Sequence, residues 1–414
     1  MPPETTAGER TVRAGHLVFA SGQIASDDRA GVPSEVRIDP AFPYYGSAIK
    51  RQTRYILDKL AKKFVDADTS LDHVVKAHVF HTDLHNFDAF DEVWREFFPK
   101  TPPCRATVGT AGLLVPGCLV AVDLIATLPS SPGKVFSSTA PRAPVSYSEA
   151  IAVGDLVFAS GLMASDYKTG VPPEAKVDPA FPYYGSEIKR QTRYILNNFR
   201  TVLAASGTSL DLVVKAHVYL KNLNDFNGYD EVWKEFFPTP PPRTTIGVPD
   251  LLVRDALVEI DLITAVPSVL REFVDVPDIP KPLANYAPAL RVGNLVFAAG
   301  ALATDFETGV APQARINPSF PYYGSAIKLE TRYILDNLAR TFRAAGTSLD
   351  RAVKAQVFLT DLADFNGFDE VWRGYFPVSP PRTIARTTGL LIKGNLIEID
   401  LVAALPDDAR AQSK

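Results

Sequence analysis

Three arginines that each end a proline-rich stretch carry the side chain best suited to binding a small acid. They follow the tripeptides PPC, PPP and SPP and are Arg105, Arg243 and Arg382. A planar guanidinium group donates two parallel hydrogen bonds to a carboxylate, which a lysine ammonium group does not. A surface or interface ion pair would use the same geometry. The residues alone therefore leave two interpretations open, a carboxylate-binding site and a structural ion pair.

A second recurring feature is a strand-like stretch near the end of each third of the chain. It reads VAVDLIA, VEIDLIT and IEIDLVA, and its second and fourth positions are mostly acidic. The residues at these positions are Ala121 with Asp123, Glu259 with Asp261, and Glu398 with Asp400. Residues two apart on a strand lie on the same side of a sheet. Carboxylates placed in this way can accept a proton from water or a hydrogen bond from a neighbouring domain.

Both features belong to a repeat that covers almost the whole chain of 414 residues. The segment FPYYGSAIKRQTRYIL begins at Phe42 and returns, nearly unchanged, at Phe181 and Phe320, an interval of 139 residues. A period of this length is a whole domain and not one turn of a solenoid. We therefore predict three domains, over 1–129, 145–266 and 283–406. The Ser- and Pro-rich segments 130–144 and 267–282 are the expected linkers.

Each repeat predicts the same order of secondary structure. The run LVFASG is typical of a strand that enters a turn. Ser47 is the expected N-cap of a helix, with Ile49, Ile56, Leu57 and other apolar residues on one face. A strand (VVKAHVF), a second helix (FDAFDEVWREFF) and two more strands follow. The order ββ-α-β-α-ββ indicates an α+β fold, with helices on one face of a mostly antiparallel or mixed sheet.

Composition excludes several classes of protein. The formal net charge of -4 argues against nucleic-acid binding, which needs a basic face. The N-terminal segment contains no apolar run of signal-peptide length, and no run of about 18 apolar residues occurs in the sequence, so we expect a cytoplasmic protein without membrane contact. The two cysteines, Cys104 and Cys118, have no counterparts in the other repeats, and no disulfide is expected.

We expect neither a metal nor another cofactor. Of the closely spaced His78, His81 and His85, one recurs, as His217, and the third repeat has Gln356 in its place. The chain has no phosphate-binding glycine loop and no GxSxG motif.

Several motifs together resemble the RidA/YjgF family of reactive-intermediate deaminases. They are the strand ending in SGQ, the run VKAHVYLKNLNDF, the helix from EVW to FFP, and PPPRTTIGV followed by VEIDLIT. The resemblance implies a chorismate-mutase-like α+β fold that assembles as a homotrimer, with central sheets, outer helices and ligand sites between subunits. Three such RidA-like domains in one chain predict an intramolecular pseudo-trimer. Association of these pseudo-trimers into a larger oligomer is compatible with the sequence.

The resemblance also implies a reaction and roles for particular residues. The family hydrolyses imines and enamines derived from amino acids and releases ammonia and a keto acid, so the expected substrate is a small carboxylate. The implied carboxylate-binding residues are the three arginines named above. A glutamate on the last strand positions or activates water, which implicates Glu259 and Glu398, while the first repeat has Ala121. For the neighbouring aspartates we favour inter-domain hydrogen bonds over catalysis.

A cleft tyrosine of the family lies fourteen residues before the glycine that ends the SG strand. Tyr147 precedes Gly161 and Tyr286 precedes Gly300 by this distance, whereas Gly8 precedes Gly22. The first repeat therefore lacks both the tyrosine and the glutamate, which predicts unequal clefts. The position two residues after the arginine, often cysteine in the family, is Thr107, Thr245 or Ile384, so thiol chemistry is not expected there.

The FPYYG loop is longer than the loop of typical family members. Its tyrosines have the aromatic surface and hydroxyl group that would suit a cleft wall or lid. A loop that packs on the neighbouring domain and sets the start of the helix is the alternative. The residues concerned are Tyr44, Tyr45, Tyr183, Tyr184, Tyr322 and Tyr323.

The favoured function is hydrolysis of a C=N or enamine bond. Hydrolysis of an amide or enol ether in the same cleft is a second interpretation, because a fold does not fix the chemistry. A non-catalytic metabolite-binding or scaffold protein is the third, and the incomplete first repeat favours some loss of activity.

Overall fold

The computed structural model describes residues 10–27, 31–42 and 44–406. These residues form three consecutive α+β units, each a mixed sheet with two long helices, which confirms the predicted fold class. The order within a unit is three strands, a helix, a strand, a second helix and two strands. One short strand is thus added to the predicted order.

The helices and strands have closely matching bounds in the three units. Unit 1 contains β1 (Thr11–Ala14), β2 (Leu17–Ala20), β3 (Gln23–Ile24), α1 (Ala48–Val65), β4 (Val74–His81), α2 (Phe87–Phe97), β5 (Cys104–Gly109) and β6 (Val120–Thr127). Unit 2 follows β7 (Lys134–Phe136) and contains β8 (Ala150–Val153), β9 (Leu156–Ala159), β10 (Leu162–Met163), α3 (Glu187–Ala205), β11 (Val213–Leu220), α4 (Phe226–Phe236), β12 (Arg243–Gly247) and β13 (Val258–Ala265). Unit 3 follows β14 (Arg271–Phe273) and contains β15 (Ala289–Val292), β16 (Leu295–Ala298), β17 (Ala301–Leu302), α5 (Ala326–Ala344), β18 (Ala352–Leu359), α6 (Phe365–Tyr375), β19 (Arg382–Arg386) and β20 (Ile397–Ala404).

The sheet of unit 1 has the strand order β1-β2-β6-β4-β5, and β3 also pairs with β6. Its strands are antiparallel except for the parallel pair β4 and β5. A parallel pair needs a crossover, which α2 supplies. This crossover places Arg105, at the start of β5, beside Ala77 of β4 and next to the helix that connects them.

The two segments expected as linkers each contain a short strand. β7 pairs with β8 and β14 pairs with β15, so each extends the sheet of the unit that follows it. Their sequences, Lys134–Phe136 and Arg271–Phe273, are too short to show an alternating pattern.

Helix α1 forms where the sequence predicts it. The Ser47 hydroxyl accepts a hydrogen bond from the Lys50 backbone nitrogen at 3.4 Å, which caps the first turn. The predicted apolar face, which includes Ile49, Ile56 and Leu57, is buried. The opposite face is polar and forms ion pairs with α2, among them Arg54 with Glu96 at 2.6 Å. The N-cap and the helical periodicity were therefore predicted correctly.

The inner faces of the three sheets pack against one another at the centre of the molecule. A shared apolar cluster there takes equivalent residues from every unit, such as Phe19, Phe158 and Phe297. Three buried lysine–aspartate pairs cross the interfaces in a ring, Lys76 with Asp261, Lys215 with Asp400, and Lys354 with Asp123. Removing one partner of a buried pair typically costs about 3–5 kcal/mol. The chain is thus a closed intramolecular pseudo-trimer, as predicted.

Across the residues that the structure describes, no helix is long and apolar enough to cross a membrane.

Candidate functional site

Each of the three arginines is buried against the second helix of its own unit. The Arg105 Cζ atom lies 5.2 Å from the ring centres of Phe87 and Trp94. Its Nη2 atom donates to Asp91 Oδ1 at 2.9 Å. The aromatic rings and the carboxylate hold the guanidinium group in one orientation.

The other two units repeat this arrangement. Arg243 Nη2 donates to Asp230 Oδ1 at 2.8 Å, and Arg382 Nη2 donates to Asp369 Oδ1 at 2.9 Å. In all three arginines the buried Nη1 atom has no hydrogen-bond partner among the described residues. A buried polar group without a partner requires an explanation, and a bound ligand is one. The arginines therefore form an ion pair and also present a free donor.

Sequence reasoning missed the aspartates that orient these arginines. Asp91, Asp230 and Asp369 each lie three residues before the tryptophan of the repeated helix. The available signal was their position in the apolar helical period, for example Asp91 four residues after Phe87 and three before Trp94, since an acid on a buried face needs a cationic partner.

The two glutamates face the arginine of the preceding unit. Glu259, on β13, accepts a hydrogen bond at Oε1 from the Thr107 backbone nitrogen at 3.3 Å. Its Oε2 atom is buried and has no partner in the described part of the chain. Burial, with a smaller contribution from Asp261, raises the pKa of Glu259 to about 8. The carboxyl group of the ligand-free protein is therefore mostly protonated at neutral pH.

Glu398, on β20, has the same surroundings one interface further on. It interacts with the Thr245 backbone nitrogen and with Arg243, and burial raises its pKa to about 8. Its Oε2 atom also lacks a partner within the described ranges.

The strand-ending glycines form backbone hydrogen bonds between units. The Gly161 nitrogen donates to the Arg105 carbonyl oxygen at 3.0 Å, and the Gly300 nitrogen donates to that of Arg243 at 3.1 Å. A Cβ atom at either glycine would collide with Oε1 of the glutamate in its own unit. Glycine is therefore required for the glutamate to reach the interface.

The tyrosines approach from the same unit as the glutamates. The Tyr147 hydroxyl oxygen accepts a hydrogen bond from the Ala143 nitrogen at 3.1 Å, which leaves its proton available for another acceptor. Burial raises the pKa of Tyr147 to about 12, and Arg105 opposes the shift. The pKa of Tyr286 is raised by burial and by Glu398. Both phenols remain protonated at neutral pH.

Two equivalent clefts result, each with the arginine on one side and the glutamate and tyrosine on the other. Cleft 1/2 is formed by Arg105 and Thr107 of unit 1 with Tyr147, Gly161 and Glu259 of unit 2. Cleft 2/3 is formed by Arg243 and Thr245 of unit 2 with Tyr286, Gly300 and Glu398 of unit 3.

Cleft 3/1 closes the ring and differs from the other two. Gly22 donates its backbone hydrogen bond to the Arg382 carbonyl oxygen at 3.2 Å, so the backbone contact is kept. Ala121 takes the place of the glutamate and Ile384 that of the threonine. A cavity of about 440 Å³ occupies this cleft. Gly8, at the predicted tyrosine position, lies outside the described residues.

A further aromatic residue was missed from the sequence. Burial, with smaller contributions from Tyr147 and Glu259, raises the pKa of Tyr167, so this residue lies near cleft 1/2. Its counterpart Phe306 lines a cavity with Tyr286 and Gly300. Both have a positive φ, 54° and 58°, in the turn after the SG strand. Such a conformation is uncommon for an aromatic residue and is not readable from the sequence.

The six tyrosines of the FPYYG loops are not brought into the clefts. They are 83–94% exposed and lie on the outer surface at the start of the first helix of each unit. This exposure distinguishes the six loop tyrosines from Tyr147, which is 6% exposed.

The neighbouring aspartates form buried contacts between units. Asp261 binds the Lys76 ammonium group and accepts from His78 Nε2 at 2.8 Å. Asp400 binds Lys215 and His217 in the same way. His78, His217 and Asp261 bring potential metal ligands within 4.8 Å, but the lysine already neutralises the aspartate. These contacts account for the aspartates as inter-domain ion pairs.

Comparison with known proteins gives the same threefold division. The family model described as Endoribonuclease L-PSP matches residues 8–128, 137–266 and 277–405. A RutC family protein of Saccharolobus solfataricus is 36% identical over 130 residues, which are 31% of this chain and 94% of that protein. A 2-iminobutanoate/2-iminopropanoate deaminase of Dermatophagoides farinae is 33% identical over 138 residues, 33% of this chain and 98% of that protein.

A solved structure resembles most of this chain in its fold. The crystal structure of a chorismatase superposes with a TM-score of 0.51, covers 80% of this chain and 93% of its own, and has 12% sequence identity. At this identity the likeness concerns the fold. With three matches of the family model along one chain, this protein belongs to the Endoribonuclease L-PSP family, which is also the RidA/YjgF family.

Proposed function

We propose that this protein hydrolyses imines, and enamines after their conversion to imines, derived from small amino acids. The observation that carries the proposal is the pairing, in clefts 1/2 and 2/3, of a buried arginine Nη1 with a buried glutamate Oε2, neither of which has a partner among the described residues. The name of the Dermatophagoides farinae relative supports a substrate of the 2-imino acid class. A formal net charge of -4 gives no support to a nucleic-acid substrate.

The arginine binds the substrate carboxylate. Asp91 and the aromatic rings already fix the Arg105 guanidinium group, so little side-chain entropy is lost when a ligand carboxylate binds at Nη1. The same holds for Arg243 with Asp230. This anchor places the C=N carbon between the arginine and the glutamate of the opposite unit.

The glutamate transfers the protons. In its ionised form Glu259 takes a proton from water as the water oxygen bonds to the C=N carbon of the protonated imine, which gives a neutral carbinolamine. The same carboxyl group then returns this proton to nitrogen. As the C–N bond breaks, the carboxylate takes the proton of the new hydroxyl group, so that ammonia leaves and the 2-oxo acid remains. Glu398 has the equivalent role in cleft 2/3.

The test is acceleration of ammonia release from an imine generated in situ by an amino-acid oxidase. We expect the wild-type chain to accelerate it and the double variant E259Q/E398Q to lose nearly all of the acceleration. The matched control is E330Q, which replaces a buried glutamate of α5 outside the clefts and should retain activity. A wild-type chain without acceleration, at concentrations that saturate its carboxylate binding, would instead favour a non-catalytic binding protein.

A further inference from the structure

We infer that cleft 3/1 is a binding site for a monocarboxylate with an aromatic or branched apolar group, which it holds without hydrolysing. The inference stands on the geometry of this cleft and does not depend on turnover in the other two.

The carboxylate-binding half of the cleft is intact. Arg382 is 7% exposed, and its Cζ atom lies 5.2 Å from the ring centre of Trp372. Nη2 donates to Asp369, while Nη1 has no partner in the part of the chain that the structure describes. A buried guanidinium nitrogen with a fixed orientation is the same anion-binding element that the other two clefts contain.

The half that would handle water has been replaced by apolar groups. Ala121 has only a methyl group at the position of Glu259 and Glu398, so it cannot accept a proton. Ile384 replaces the threonine of the other clefts. Ala121 lines the cavity with Ile24 and Val115 of the same unit, on the side opposite the arginine, whereas Ile384 adds its apolar side chain on the strand of Arg382 itself.

The size of the cavity fits a ligand larger than a two- or three-carbon acid. Its volume of about 440 Å³ lies within the range of about 300–1,000 Å³ that is usual for small-molecule sites. Removal of the glutamate side chain opens space at the position where the substrate carbon would otherwise meet water. A phenyl or branched alkyl group can occupy that space against Ala121 and Ile384.

The local charge also favours an anion. Asp369 accepts from Arg382 at 2.9 Å and from Arg373 at 2.7 Å, so two guanidinium groups share one carboxylate. Clefts 1/2 and 2/3 contain a glutamate that adds a negative charge once ionised, whereas Ala121 adds none. Cleft 3/1 therefore keeps its positive charge throughout the neutral range.

The test uses the full chain and the probe 3-(4-fluorophenyl)propanoate, followed by fluorine NMR and titration calorimetry. We expect one site per chain whose affinity falls at least tenfold in R382K and in A121E. The matched variants R105K and R243K should leave this site unchanged, because their arginines belong to the other clefts. A121L fills the cavity without adding charge, and it gives the same expected loss if A121E does not fold.

Equal losses in R105K, R243K and R382K would overturn the inference, as would unchanged affinity in both Ala121 variants. Faster ammonia release by A121E than by the wild type would also overturn it, because cleft 3/1 would then be an impaired hydrolytic site. If ammonia release is absent in the wild type but the Arg382-dependent site is present, the proposed function fails and this inference stands.

Discussion

At the scale of single residues, each cleft arginine has an aspartate partner at Nη2 and, among the described residues, none at Nη1, which is where the proposed function places the ligand carboxylate. Asp230 holds Nη2 of Arg243, and three aromatic rings lie near its Cζ atom, so the remaining nitrogen is presented in a fixed direction. Sequence reasoning treated the ion pair and the carboxylate site as alternatives. The geometry allows both at once, because the guanidinium group has donors on two edges.

We expect R243K to weaken binding of a 2-oxo acid more than it lowers stability. A hydrogen-bonded fork becomes a single ammonium group that cannot serve Asp230 and a ligand together, a loss on the order of 1.5–3 kcal/mol of binding free energy. Calorimetry with 2-oxobutanoate measures the affinity and thermal unfolding the stability. The control is R54K, an exposed ion-pair residue on α1. A lower melting temperature with unchanged affinity would make Arg243 structural.

The raised pKa values of the glutamates predict a pH dependence. Burial raises the pKa of Glu259 and of Glu398 to about 8, and in the proposed mechanism the ionised form is the general base. We therefore expect kcat/KM to rise with pH and to level off above about 8. The measurement is initial ammonia release across pH 6 to 9, at substrate concentrations well below KM.

Product binding should have the opposite slope and serves as the companion measurement. An ionised glutamate repels a bound 2-oxo acid, so affinity for 2-oxobutanoate should fall as pH rises through about 8. In E259Q/E398Q this slope should disappear. A slope that persists in the double variant would assign the titration to another group.

At the scale of elements, the regular parts of each unit were predictable and the closing loops were not. Residues such as Ile56 and Leu57 repeat with helical period and are buried, and Glu259 and Asp261, two residues apart on their strand, both contact unit 1. The positive φ of Tyr167, the short β7 and the exposure of Tyr44 depend on tertiary contacts that leave no periodic signal. The cleft residues were identified by resemblance, and their pairing across interfaces came from the fold.

One buried position on the first helix of each unit allows a comparison among the three copies. Gln52 and Gln191 each accept from a backbone nitrogen through Oε1 and donate to a carbonyl oxygen through Nε2. The third copy has Glu330, which accepts from the Leu396 nitrogen at 2.8 Å. Burial raises the pKa of Glu330 from 4.5 to about 7. Because the folded pKa is the higher one, ionisation destabilises the folded state.

We expect E330Q to remove a pH-dependent loss of stability. In the wild type the contribution of Glu330 is fully present below pH 4.5 and is lost as pH rises through about 7, on the order of 3 kcal/mol in all. E330Q should therefore be the more stable protein at pH 8, and the difference should shrink at pH 5. Urea unfolding at both pH values measures it. Q52E should introduce the same dependence, and equal stability profiles for E330Q and wild type would contradict the argument.

At the scale of the whole molecule, fusion into one chain permits differences that a homotrimer cannot have. A homotrimer repeats the same residue at every interface, so replacing the cleft glutamate by alanine would alter all three clefts at once. In this chain the equivalent positions are Glu259 and Glu398 in two units and Ala121 in the third. The replacement therefore alters one cleft. Since the tyrosine and the glutamate come from the same unit, the predicted inequality takes the form of two complete clefts and one changed cleft.

The ring of inter-domain ion pairs predicts that one chain is sufficient for the assembly. Lys354 of unit 3 binds Asp123 of unit 1, which closes the ring without a second molecule. We expect light scattering to give the mass of a single 414-residue chain. A mass of three chains, with each chain supplying one unit to a partner, would contradict this arrangement.

The pairing of arginines and glutamates across the interfaces gives a sharper test of the assembly. Arg105 shares cleft 1/2 with Glu259, and Arg243 shares cleft 2/3 with Glu398. R105K/E259Q therefore damages one cleft twice. It should keep roughly the activity of either single variant, R105K or E259Q, which is about half of the wild-type activity if the clefts are independent. R105K/E398Q damages both complete clefts and should lose nearly all ammonia release, although it contains the same number and kind of substitutions. The reciprocal pair, R243K/E398Q against R243K/E259Q, should behave alike. Equal activity in the same-cleft and cross-cleft variants would mean that the residues do not work in these pairs, and that catalysis depends on a different combination of units.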